Sequence, residues 1–125
     1  MNDAETRAAL ERYWANITEP ELANQLYHDD LVLEFPQGGE RIVGLANVRA
    51  MRGTYPANVA FTLRRLRGSG AHWVAECVVS YDGGPPSHGV QIVEFRGAKV
   101  ARETIYWGEP WDPPAWRARW VEPLT

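Results

Sequence analysis

The chain is poor in the residues that announce chemistry: it has one cysteine and three histidines among 125 residues, and no apolar run long enough to cross a bilayer. With Cys77 alone, an internal disulfide and a cysteine-built zinc cluster are both excluded, which fits a reducing compartment. His28, His72 and His88 share no ligand spacing on one element, so no metal site is expected. Gly68, Gly70, Gly83 and Gly84 lie where hairpin turns are expected rather than ahead of a helix, so no phosphate loop and no cofactor is implied. A net charge of -3 argues against general affinity for nucleic acid, with Arg64, Arg65 and Arg67 forming only a small basic edge. The opening MNDAETRAALERYW mixes acidic and basic residues where a signal peptide needs a positive end and an apolar stretch, so a cytoplasmic location is expected.

What is present is the balance of an ordinary globular protein, 45% apolar and 23% charged, at a length that suits one domain over residues 1–125. Asn2 and Glu5 have capping-box spacing, and Leu10, Tyr13, Trp14 and Ile17 recur at helical intervals, predicting a first helix over residues 3–17. Thr18, Pro20 and Glu21 repeat the start signal for a second helix that stops near His28. Leu31 to Phe35 reads as a strand, turned by Pro36-Gln37-Gly38-Gly39 into Arg41, Ile42 and Val43. Leu45, Val48 and Met51 then predict a short third helix, ended by Gly53 and Pro56.

Four strands follow, near 58–67, 71–82, 87–96 and 99–107, and one or two helical turns around Pro114 to Trp120. Helices first and neighbouring strands after describe an α+β fold with the helices on one sheet face. The stretches from Trp73 to Val79 and from Val90 to Val93 are apolar on both faces. A second subunit over the outer face, in a two-fold dimer, is therefore expected.

The run LERYWANITEPELANQLYHDDLVLEFPQGGERIVGLANVRAM, followed by four strands ending in KVARETIYWGEPW, resembles the nuclear-transport-factor-2-like superfamily, in its SnoaL-like and ketosteroid-isomerase-like branch. The resemblance covers nearly the whole chain. It implies a cone-shaped α+β barrel, cystatin-like, with three N-terminal helices packed on a curved, mainly antiparallel sheet, a pocket between them, and dimerisation through the outer sheet face. The branch includes isomerases, cyclases and dehydratases as well as non-enzymatic binding and interaction modules, so activity needs a site argument.

Carried onto this chain, the oxyanion tyrosine of the isomerases falls on Tyr13, the catalytic base on Phe35, and the second oxyanion acid on Gln91. Phe35 cannot accept a proton, which speaks against ketosteroid isomerisation itself. Asp29 and Asp30, expected at a helix-to-strand joint, read as structural or solvated. Strand parity puts Glu103 on the face of Ala101, Ile105 and Trp107, which the resemblance places inside the cone, and puts Glu34, Glu76 and Glu94 outside.

Tyr13 and Glu103 are thus the expected catalytic pair, with Arg52 as the partner of Glu103. Tyr27, Phe35, Met51, Arg52, Phe61, Trp73, Cys77, Gln91, Val93, Ile105 and Trp107 are the expected pocket lining. Six tryptophans and five tyrosines point to an aromatic or polycyclic small molecule as ligand. The competing reading is that the same residues only complete a core.

Overall fold

In a computed structural model, which describes residues 1–54 and 58–124, the chain folds as three α-helices laid on one face of a six-stranded sheet. The capping box at the start is formed. Asn2 Oδ1 accepts from the Glu5 backbone N–H at 2.8 Å and the Asn2 N–H donates to Glu5 Oε1 at 3.0 Å, opening α1 (Asp3–Ala15). The box expected from Thr18 and Glu21 is not formed. Glu19 is the cap residue of α2 (Pro20–Leu26) and makes no side-chain hydrogen bond. Pro20 in the first turn has no N–H to satisfy and a backbone angle already suited to the helix, which makes a side-chain cap dispensable.

The chain passes directly from Leu26 into β1 (Tyr27–Phe35), four residues earlier than expected. Asp29 and Asp30 therefore lie within a strand, not in a joint. They fall where pairing slips, since β1 advances from Tyr27 to Val32 while its partner advances only from Val100 to Arg102. Both remain exposed. Asp30 accepts from Arg96 at 2.7 Å, a hydrogen bond that holds its carboxyl below the usual range. β2 (Glu40–Val43) returns antiparallel to β1 and leads through Gly44 into α3 (Leu45–Gly53). Gly44 has φ +92, a conformation open to glycine and costly for a side chain. Pro56, expected to help end this helix, lies outside the described residues.

β3 (Val59–Ser69), β4 (His72–Tyr81), β5 (Ser87–Arg96) and β6 (Lys99–Gly108) form the expected antiparallel meander, and the sheet order is β2-β1-β6-β5-β4-β3 with β1 and β6 parallel. The helices cover the inner face, where Leu10, Leu31, Leu33, Val48, Val93 and Val100 are fully buried. Each such side chain contributes roughly 1.5–3 kcal/mol of burial. The outer face carries Val74, Val90, Ile92 and Tyr106, of which Val74 and Tyr106 are exposed. After Gly108 the chain runs to a 3-10 turn (Ala115–Trp120) at the place expected for helical turns. Among the described residues, no helix is long and apolar enough to cross a membrane.

Candidate functional site

A cavity of about 860 Å³ opens between the helices and the inner sheet face. Its existence follows from α3. Ala46, Ala50 and Gly53 line it, and these small side chains leave a gap where leucines would have closed the layer against the sheet. The opposite wall comes from the ends of the strands: Phe35 of β1, Phe61 of β3, Gln91 of β5, and Ile105 and Trp107 of β6. Trp107 sits close over Gly89, where a Cβ would lie 2.4 Å from the indole. Glycine at that point is what allows the ring to lie flat against the sheet.

Beneath the wall is a polar cluster assembled from four elements. Tyr13 comes from α1, Tyr27 from β1, Arg52 from α3 and Glu103 from β6. The Tyr27 hydroxyl donates to Glu103 Oε1 at 2.7 Å, and Arg52 Nη2 donates to Glu103 Oε2 at 3.4 Å. Arg52 Nη1 donates to the Tyr13 hydroxyl oxygen. The tyrosine rings meet edge to face, 5.2 Å between centroids. Glu103 is inside although Val100 also points inside, because β6 bulges against β5 between the Glu94–Arg102 and Phe95–Val100 pairs. Simple alternation from Glu103 through Ala101 thus ends at that bulge.

Burial raises the Glu103 carboxyl above its usual 4.5, with Arg52 and Tyr27 acting in the opposite sense. Burial likewise raises Tyr13 and Tyr27, which keep their phenolic protons; the charge of Glu103 adds to both effects. For Arg52, burial acts to lower the guanidinium, but Tyr27, Tyr13 and Glu103 more than offset it, and it stays charged. Its side chain is 27% exposed, against 1% for that of Glu103. The cation meets the cavity, and the acid sits one layer behind it.

The structure separates the expected site residues into two sets. Tyr13, Phe35, Met51, Arg52, Phe61, Gln91, Ile105 and Trp107 line the cavity. Glu103, Tyr27, Trp73, Cys77 and Val93 do not: all five are at most 1% exposed. Trp73 instead packs between Gly68 and the Arg7 guanidinium, with its indole N–H donating to the Gly70 carbonyl at 3.0 Å. The Cys77 thiol is pushed up to about 11 by burial, which leaves it inert as a nucleophile.

The tryptophan count was a poor guide to the pocket. Trp107 alone of the six lines it; Trp14 and Trp73 are core, and Trp111, Trp116 and Trp120 are 65–75% exposed beyond the sheet. Sequence reading missed Glu19, Arg49, Asn58, Val79 and Tyr81, which also line the cavity, as do Ile17, Thr18, Pro20, Ala23, Leu33 and Val59. For Arg49 a signal was present, since Ala46, Ala50 and Gly53 mark a small-residue face of α3 and Arg49 and Arg52 stand beside it three residues apart. Among the described residues, no group of acidic, histidine or cysteine side chains could hold a metal ion.

Comparison with known proteins bears on the whole chain. The sequence model of the SnoaL-like domain matches residues 7–103. A crystal structure of a nuclear-transport-factor-2-like protein of unknown function from Burkholderia xenovorans is 36% identical, covering 100% of this chain and 99% of that one, at a TM-score of 0.89. One described as a putative ketosteroid isomerase from Kribbella flavida is 29% identical, covering 100% and 94%, at 0.86. An epoxide hydrolase of M. tuberculosis is 19% identical, covering 83% of each chain, at 0.69, a likeness of fold alone. Among curated proteins there is no match.

Proposed function

The chain belongs to the SnoaL-like domain family, and from that premise we propose that it binds a small apolar or aromatic molecule in the α3-lined cavity and performs acid-base chemistry there. One observation carries the reading: Arg52 stands at the cavity wall and is hydrogen-bonded at once to Tyr13 and to the buried Glu103. A phenol that accepts from a guanidinium is a stronger donor through its own O–H, so Tyr13 offers a hydrogen bond to a ligand oxygen. The cation beside it stabilises negative charge as it develops there. This serves the charge that gathers on a carbonyl oxygen in an enolising step, and Glu19, the carboxylate in the cavity lining, is the group available to take the proton that leaves carbon.

Glu103 acts through Arg52 in this scheme. It holds the guanidinium in place and balances its charge, so it is a positioning residue rather than a base in contact with substrate. Tyr13 and Arg52 are the groups that touch the ligand oxygen. Val74, Val90, Ile92 and Tyr106 on the uncovered sheet face support a homodimer formed through that face, and the lone buried thiol suits a cytoplasmic protein.

Native mass spectrometry of gently purified protein tests both parts. A dimer carrying a defined extra mass, reduced in Tyr13→Phe and Arg52→Met but retained in a Glu122→Gln control on the exposed C-terminal segment, is the expected result. A monomer, or a retained mass indifferent to both cavity substitutions, would contradict the reading. A non-enzymatic binding module of the same fold would keep its ligand chemically unchanged in the wild type.

A further inference from the structure

Gln91 lies on β5 with its neighbours Ala75 of β4 and Ile105 of β6 on either side, facing the cavity. It is 3% exposed, and among the described residues its carboxamide oxygen is the buried side-chain polar atom without a hydrogen-bond partner. In the polar cluster, by contrast, Glu103 is engaged by Tyr27 and Arg52, and Tyr13 by Arg52. A buried carbonyl left unpaired is costly, and apolar residues of similar size would fill the same place without that cost. Its terminal torsion is soft, so rotation about it can turn the oxygen toward the cavity without moving the strand.

We infer that Gln91 is a specificity-determining residue that accepts a hydrogen bond from a hydroxyl of the cavity's occupant. The ligand class is then a ring compound with two oxygen functions: one accepting from Tyr13 and Arg52, and a second, a hydroxyl, donating to Gln91. Phe35, Phe61 and Trp107 supply the apolar walls between them. This rests on the cavity being a ligand site, as proposed above.

The selectivity arises from the orphaned oxygen. A ligand without the hydroxyl displaces whatever water serves the carboxamide and offers nothing in return, so sites of this kind discriminate against the analogue lacking the donor. The probe pair is a dihydroxynaphthalene with one hydroxyl on each ring and its dimethyl ether. An oxygen of either compound can accept from Tyr13 and Arg52; only the diol has a donor for Gln91.

Calorimetric titration of the wild type should show the diol binding about tenfold more tightly than the ether. In Gln91→Met the gap should close while the melting temperature does not fall. Equal binding to the wild type, or a gap that persists in Gln91→Met, would overturn the role of Gln91 and leave the cavity standing as a ligand site. Failure of both compounds to bind would overturn the inference and the site together. Should Gln91→Met not fold, the side-chain amide NMR signal of Gln91 in the wild type decides, moving with the diol and not the ether if the inference holds and moving equally with both if it does not.

Discussion

Glu103 shows how far one buried acid can shape a site that it does not touch. Its carboxyl is raised above 4.5 by burial, so the folded protein binds its proton more readily than the unfolded chain does. The contribution of this group to stability is therefore fully present below 4.5 and is lost as pH rises through the raised folded value. Glu103→Gln mimics the protonated form. Urea denaturation at a series of pH values should show variant and wild type equally stable at the acidic end, with the variant gaining as pH rises toward neutrality; a constant difference across that range would mean that folding leaves the proton affinity of the carboxyl unchanged, contrary to a burial-raised acid. The inward position of Glu103 was legible from strand alternation with Ile105 and Trp107. Its depth behind Arg52 was not, because alternation gives a face and carries no information about what an adjoining helix lays over it.

At the level of elements, the helices and hairpins were legible where their signals are local. The Asn2–Glu5 box, the glycine at 44 and the turn residues between strands each act within a few positions, and the structure places α1, α3 and the four-strand meander close to where those signals put them. The start of β1 was not legible, since the Tyr27–Asp30 segment is drawn into the sheet by β6, some seventy positions later in the chain. Nor was the cavity face of α3: Leu45, Val48 and Met51 announce the helix, and whether Ala46 and Ala50 leave space depends on the strands opposite them. That face yields a direct test. Ala50 is exposed and lines the cavity, so Ala50→Leu should leave stability within about 0.5 kcal/mol of the wild type. The same substitution should weaken binding of the dihydroxynaphthalene; unchanged binding would put the ligand elsewhere.

Over the whole molecule, family, fold class and order of elements could be read from the chain, while the site was legible only in part. Eight of the thirteen expected site residues meet the cavity, and the other five form the packed layer behind it. The division has a physical cause: an α+β layer buries ligand-facing and core-facing residues alike, so apolar composition cannot separate them. The exposed tryptophans of the C-terminal segment inflated the aromatic count without adding to either set. What the fold brings together, and no local pattern could, is the convergence of α1, α3, β1 and β6 on one guanidinium.

The stabilisation of negative charge at that guanidinium is the centre of the proposed chemistry, and para-nitrophenol reports on it through the absorbance of its phenolate. The measurement is the ionisation constant of para-nitrophenol bound in the cavity, in the wild type and in Arg52→Met. A bound value below that of the free phenol, returning upward in Arg52→Met, is expected. A bound value equal to or above that of the free phenol would contradict an oxyanion-stabilising wall formed by Tyr13 and Arg52.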